Sequence, residues 1–421
     1  MPSSNRPSRG RRGSKRRNKR SPLFDQLIFA ADRQQTAGAQ PLVSYDEDDD
    51  QEFLQALERY ATTRISLKRR GVNHGSWAEL DLSASGIDLG GNTTPESLHA
   101  DWRAARPILF PGAVGPIPSE ESQRALALYT QLGAPRGLEE FLSSAGCDKL
   151  QPLEFADSRD IARVRVGPLG SPWMKSARLS DWEGDESLRL RVSFGREVDD
   201  DAARNAASQA AVADLAERVL PGAARLSQAP ALRRQVEDLL GTKALYTQHI
   251  AYWNAPGGGA LFHHDAFDEA TAGGQRGVIF TQLVGQTAWL ALSNADLGRR
   301  IAEFTEALDE GLNDWVLREL WPERRDFERI LAKSRDSGAV AGELSLAGCG
   351  CFAGLVNRGP EFTSFLADCG HGLVLREGDA LLLPNHSLKN TTMHSVFYAS
   401  QAGPTYGISC ALREDLAQRE G

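Results

Sequence analysis

Phe262-His263-His264-Asp265 sets an imidazole and a carboxylate two positions apart. At the end of a strand, alternate side chains share a face, so His263 and Asp265 point one way and His264 the other. A neutral imidazole and a carboxylate make half of a metal site. The third ligand has to come from another strand. Two histidines follow Arg376-Glu-Gly-Asp-Ala-Leu-Leu-Leu-Pro384, a stretch that reads as turn, strand and proline stop. His386 stands two residues after the proline, in what reads as a turn. His394 stands ten after it and runs directly into Ser-Val-Phe-Tyr, which reads as strand. That continuation favours His394 and leaves His386 as the alternative. Two histidines and one carboxylate on one face of an octahedral ion leave three positions open. This donor set suits non-haem Fe(II) and oxygen chemistry.

Other constellations offer less. Cys349-Gly-Cys351 and Cys369-Gly-His371 supply four possible zinc ligands in two close pairs, though one intervening residue is tighter than the usual two to four. Their plain alternative is small residues in loops. Cys147 has no local partner that would make it a nucleophile, and Gly257-Gly-Gly259 precedes no helix with a lysine, so it is no phosphate loop.

The metal-ligand candidates need strands to hold them. Ala244 to Trp253 is rich in Tyr, Ile, Thr and Trp and reads as a strand, followed by the loop Asn254-Ala-Pro-Gly-Gly-Gly. Gly277-Val-Ile-Phe-Thr-Gln-Leu-Val and Thr287-Ala-Trp-Leu-Ala-Leu read as two strands around Gly285. Strand signals return at Leu373-Val-Leu, Ala380-Leu-Leu-Leu, Ser395-Val-Phe-Tyr and Tyr406-Gly-Ile-Ser-Cys-Ala-Leu. Between them, Leu297, Ile301, Phe304, Leu308 and Leu312 keep a near-helical period. Short strands on either side of a helical block imply an α+β chain ending in a β-barrel or jelly roll with a helical insertion at about 295–370. Residues 23–240 read as a mixed, largely helical N-terminal region. Helices are expected from Phe53 to Tyr60, Ser119 to Leu132, Gly137 to Ser144, Asp199 to Leu220 and Ala229 to Leu240. Strands are expected at 161–166 and 188–192, and turns and short strands across 75–115.

The run Tyr252-Trp-Asn-Ala-Pro-Gly-Gly-Gly-Ala-Leu-Phe-His-His-Asp265 resembles the JmjC-type cupin oxygenases, and most of all their ribosomal-protein hydroxylase branch. There a Pro/Gly-rich loop leads into His-x-Asp on a strand. A strand, a glycine and a tryptophan-bearing strand follow, here Phe280-Thr-Gln-Leu-Val-Gly285 and Trp289-Leu-Ala-Leu. The resemblance covers residues 244–413. It implies a double-stranded β-helix over 241–421, with His263, Asp265 and His394 as iron ligands and catalytic centre. It also implies 2-oxoglutarate and O2 as co-substrates and hydroxylation of a C–H bond on a protein or ribosomal side chain. The chain departs from that pattern at one position. The family's lysine two residues after the glycine, which pairs with the distal carboxylate of 2-oxoglutarate, is Thr287 here. A threonine donates one hydrogen bond but no charge. Arg413 on the last strand and Lys389 are the cations that could serve instead.

The chain has 421 residues, with 41% hydrophobic and 25% charged, ordinary values for a globular protein. No apolar run is long enough for a membrane helix, and Met1 to Arg20 has no apolar signal core. Five cysteines fit a reducing cytoplasm better than a disulfide framework. Residues 1–20 hold nine Lys or Arg and no acid, so the net charge of −8 leaves about −17 on the remainder by subtraction. Residues 1–22 therefore read as a disordered basic arm, able to dock on RNA or a ribosome through phosphate neutralisation. The competing reading is a catalytically inactive module of the same fold, delivered to nucleic acid by that arm.

Overall fold

A computed structural model of the chain describes residues 61–69, 72–80, 94–134, 136–144, 150–152, 160–166, 172–179, 184–193, 206–266, 275–311, 324–345, 350–358, 360–399 and 403–414. The basic arm and the helix expected from Phe53 to Tyr60 lie outside these residues.

Fifteen strands are described: β1 (Ala61–Arg69), β2 (Val72–Leu80), β3 (Ile108–Phe110), β4 (Leu150–Pro152), β5 (Asp160–Val166), β6 (Trp173–Arg178), β7 (Leu188–Ser193), β8 (Ala244–Asn254), β9 (Gly259–His263), β10 (Gln275–Val284), β11 (Thr287–Ser293), β12 (Gly372–Leu375), β13 (Ala380–Ser387), β14 (Asn390–Tyr398) and β15 (Thr405–Glu414). They form a large antiparallel assembly with two faces. The major sheet runs β3-β13-β10-β15-β8-β7-β6-β5-β4, and the minor one runs β12-β11-β14-β9, with β1 also on β14 and β2 on β1. The β13–β14 hairpin joins the two.

Alternation along the strands sorts the core into layers. In β11, Ala288, Leu290 and Leu292 face one cluster, while Trp289 and Ala291 face another with Phe280, Leu375, Leu381 and Leu383. That second cluster draws on strands of both sheets and fills the space between them. The outer face of the major sheet packs on α1 (Pro95–Arg103), α2 (Ser119–Gly133), α3 (Gly137–Ser144), α4 (Ala206–Val219), α5 (Ala224–Ser227) and α6 (Pro230–Leu240). The outer face of the minor sheet packs on α7 (Asn294–Gly311), α8 (Arg324–Ser334), α9 (Ser337–Leu344), α10 (Ala353–Arg358) and α11 (Pro360–Leu366).

The local sequence explains these helices. In α6, Pro230 opens the first turn, Leu232, Val236, Leu239 and Leu240 form one buried stripe, and Gly241 ends it at φ 69° in the left-handed region. Asp336 caps α9 by accepting from the backbone N–H groups of Gly338 and Ala339.

Three expectations change. The stretch 75–115 holds a helix as well as strands: Thr94 accepts from Ser97 N–H and Pro95 takes the first turn, a cap signal that outweighs the surrounding Gly and Ser. The region expected to be largely helical supplies seven described strands, of which β7 pairs with β8, β3 with β13 and β1 with β14. Pro384 does not stop its strand. It is the last β13 residue paired with β10, opposite Gly277, and β3 covers only residues 380–382, so the missing N–H breaks no ladder and β13 continues to Ser387.

Candidate metal centre

His263 closes β9 and stands directly opposite His394 in the β9–β14 ladder. Their ring centroids are 4.1 Å apart. Asp265 follows two residues later, its Oδ2 3.7 Å from His394 Nε2. One donor atom from each of the three lies within 4.8 Å of the others, and among the described residues this is the one such group of three or more His, Cys, Asp or Glu side chains.

His263 Nδ1 lies 2.7 Å from the Leu261 carbonyl. A carbonyl only accepts, so Nδ1 carries the proton and Nε2 keeps its lone pair free. His394 is buried, and Trp289 stacks on it at 5.6 Å. Burial drives the His394 pKa well below the usual histidine value, and the neighbouring His263 and His264 push the same way. It is therefore neutral, as a ligand must be. Gln275 donates to the backbone carbonyl of Asp265 at 3.1 Å and steadies the segment just past β9. The Asp265 side chain keeps 35% of its surface exposed, on the open side of the group.

His264 turns the other way. Its Nε2 meets the Ala341 carbonyl at 3.2 Å and Ser345 Oγ at 3.1 Å, and its Nδ1 accepts from Ala266 N–H. His386 lies on β13 rather than in a turn, bonds the Trp102 carbonyl at 2.6 Å and packs edge-on against the Trp102 ring. It does not join the group.

His263, Asp265 and His394 sit on the wall of a cavity between the sheets that encloses about 650 Å³, its open mouth included. Phe280, Trp289, Leu383 and Val396 give it apolar walls, and Tyr252, Asn254, Thr405 and Ser409 add polar groups. Asn254 is buried, and its Nδ2 donor has no partner. Burial, reinforced by the Asp265 charge, raises the pKa of the Tyr252 hydroxyl and keeps it protonated.

The three residues considered for the distal carboxylate fare differently. Thr287 does line the cavity, but its hydroxyl is committed: it donates to Gln282 Oε1 at 2.7 Å and accepts from Trp289 Nε1 at 2.8 Å. Gln282 cannot turn its amide round to release it, because Nε2 already donates to the carbonyls of Val284 and Tyr406. Arg413 is buried on β15 and donates to Thr247 Oγ1 at 3.1 Å, away from the cavity wall. Lys389 sits in the exposed β13–β14 turn, also off the wall. No Lys or Arg lines the cavity among the described residues. As for the cysteine cluster, Cys349 lies outside the described residues. Cys351 is buried, with its N–H on Glu343, and His371 accepts from Arg300 Nε.

Sequence reasoning missed the polar cavity residues Thr405 and Ser409 and treated Tyr252 and Asn254 only as part of the loop signature. Their one signal is parity: Thr405, Gly407 and Ser409 share a face of β15, opposite the core-facing Tyr406, Ile408 and Cys410.

No family model matches the chain, and no curated protein matches it. Among solved structures it is similar to the non-heme α-ketoglutarate-dependent epimerase SnoN from nogalamycin biosynthesis. That match has 14% identity and a TM-score of 0.30, and covers 76% of this chain and 83% of that one. SnoN in complex with Fe3+, α-ketoglutarate and nogalamycin RO matches at 15% identity and TM-score 0.30 over the same shares. An oxidoreductase of the 2OG-Fe(II) oxygenase family from Burkholderia pseudomallei matches at 11% identity and TM-score 0.27, covering 77% of this chain and 92% of that one.

Proposed function

We propose that this chain is a non-haem Fe(II)- and 2-oxoglutarate-dependent oxygenase that hydroxylates a C–H bond, with its two facing sheets forming a double-stranded β-helix. One observation carries the reading: His263, Asp265 and His394 converge on one side of a cavity with their donor atoms within 4.8 Å of one another. The donor set fits the ion. Two neutral imidazoles and one carboxylate, with no thiolate, suit a divalent iron with open positions facing the cavity.

Bound there, iron and 2-oxoglutarate would supply oxygen activation, with oxidative decarboxylation of the keto acid to succinate providing two electrons. The protein's part is to hold and shield. His263 and His394 fix the ion from paired strands, Asp265 neutralises part of its charge, and Phe280, Trp289 and Val396 keep bulk water from the cavity. With Thr287 committed, the partnerless Nδ2 of Asn254 and the hydroxyl of Tyr252 are the donors that would receive an anionic or carbonyl oxygen. A protein or ribosomal side chain as substrate, RNA docking by residues 1–20 and a cytoplasmic location are proposed from the sequence reading alone.

Calorimetry under anaerobic conditions tests the reading. One Mn(II) per chain should bind, Asp265→Ala should abolish that binding, and the Mn(II)-loaded protein should take up one 2-oxoglutarate. A chain that binds no divalent ion refutes the reading. A chain that binds the ion but not 2-oxoglutarate loses the co-substrate and becomes the inactive module.

A further inference from the structure

The β9–β14 ladder is irregular at the metal centre. His394 stands opposite His263 but Val396 opposite Ala260, so β9 carries one extra residue between the pairs, a bulge at Leu261–Phe262. Bulges re-aim side chains next to active sites, and they leave a backbone group without its ladder partner. Here Leu261 gives its carbonyl to His263 Nδ1. Phe262 N–H donates at 2.7 Å to Oδ1 of Asn357, a buried side chain on α10.

Behind the same bulge lies Arg69, the last residue of β1, which is 1% exposed. Its Nη1 donates to Ser395 Oγ and its Nη2 to the Asn357 carbonyl at 2.8 Å. Ser395 Oγ in turn donates to the Ala260 carbonyl at 2.9 Å. The guanidinium lies 4.6 Å from the Phe397 ring centre. Gly259 admits the arginine stem: a Cβ there would come within 3.3 Å of Arg69 Cγ and 2.2 Å of the Val396 carbonyl oxygen. Phe262 and Ser395 are the chain neighbours of His263 and His394. By strand alternation, their side chains lie on the face opposite the ligands.

We infer that Arg69 and Asn357 are positioning residues. Together they lock the β9 bulge from the back of the sheet and so set the separation and aim of the His263 and His394 imidazoles. A guanidinium suits this place because its fixed planar fork reaches two acceptors at once, whereas an ammonium is a compact point charge whose donors have no fixed fork. The inference rests on the metal-centre reading above.

The test uses Co(II) as a spectroscopic probe, on the full chain. Wild type should bind one Co(II) with resolved d–d bands. Arg69→Met and Asn357→Ala should each weaken binding roughly 10- to 100-fold, the usual effect of losing an outer support of a ligand, and shift those bands. Arg69→Lys should recover part of the loss. Leu232→Ala, a core truncation on α6 behind the other sheet, should lower the melting temperature but keep the wild-type affinity and spectrum. If wild type binds Co(II) and both site variants bind it with wild-type affinity and bands, the inference is refuted while the metal centre stands. Equal weakening by Leu232→Ala refutes it too, since general destabilisation would then explain the loss. Should Arg69→Met fail to fold, Asn357→Ala decides alone, because it keeps the backbone carbonyl that Arg69 uses. Absence of Co(II) binding in wild type overturns the metal centre and this inference together.

Discussion

His263 and His264 are adjacent, yet their removal should fail in opposite ways. In His264→Ala, the Ala341 carbonyl still accepts from Ser345 Oγ at 2.9 Å, but Ala266 N–H loses its acceptor and a half-buried ring is gone. Losing the Nε2–H bond and the bond from Ala266 N–H, which is left orphaned, costs about 2–3 kcal/mol. In a chain of this size that lowers the melting temperature by roughly 1 °C per kcal/mol. The three candidate ligands are untouched, so added Co(II) should still raise the melt. At a free concentration of 100 times Kd the gain is about 2.7 kcal/mol, or roughly 3 °C. His263→Ala removes a local contact to Leu261 and the ring contact with His394 but orphans no donor, so its melt without metal should stay within about 1 °C of wild type. It removes one of three ligands, so the Co(II) increment should vanish. Paired thermal melts with and without Co(II) read both numbers. If His264→Ala abolished the increment and His263→Ala kept it, the strand register would be off by one and the Asp265 assignment would go with it.

Three further outcomes follow from the same geometry. Asn254→Ala should weaken 2-oxoglutarate binding to the Mn(II)-loaded protein about fivefold, the worth of one hydrogen bond; unchanged calorimetry would remove Asn254 from the ligand site. Thr287→Val keeps the shape but leaves Trp289 Nε1 and Gln282 Oε1 unpaired, so urea titration should show a loss of about 1–3 kcal/mol, with 2-oxoglutarate affinity unchanged; a collapse of that affinity would make Thr287 a ligand after all. His249 is buried beside Cys410, and burial lowers its pKa to about 4. The unfolded imidazole takes up its proton near 6.5, so the unfolded state binds more protons throughout the window between. Stability should be complete above pH 6.5 and fall towards pH 4 by on the order of 3 kcal/mol. His249→Leu should flatten that slope, and an unaltered slope would assign it to other groups.

The sequence disclosed the strands that carry the ligand candidates because each is a short β-branched or aromatic run bounded by Gly or Pro. Ala244 to Trp253, Gly277 to Val284 and Thr287 to Leu292 all lie in observed strands. The His-x-Asp spacing and strand alternation were enough to separate His263 and Asp265 from His264. Less was legible where tertiary partners decide. Pro384 reads as a stop, and only the pairing pattern shows that no hydrogen bond is asked of it. β6 escaped notice because Trp173 to Arg178 mixes apolar and charged residues, which settle into alternation only when paired between β5 and β7.

Thr287 shows the limit most clearly. Its position matches the one that carries a lysine in the resembling family, and residue type alone left its hydroxyl available. Availability is a matter of direction, and direction is set at a distance. The Tyr406 carbonyl, 119 residues further along the chain, and the Val284 carbonyl both accept from Gln282 Nε2. That fixes Gln282 Oε1 as an acceptor, which draws the Thr287 proton, which in turn leaves the threonine oxygen to receive Trp289 Nε1–H. Each link is forced by the one before it, because a carbonyl cannot donate and an indole N–H cannot accept. The chain of bonds holds Trp289 stacked beside His394, their ring planes 24° apart. Where the family pattern places a charge for the co-substrate, this chain therefore places a brace for one of its own ligand candidates. Under the proposed function, an anion in this cavity would be recognised by neutral donors such as Asn254 and Tyr252 and by the ion that the three candidate ligands would hold.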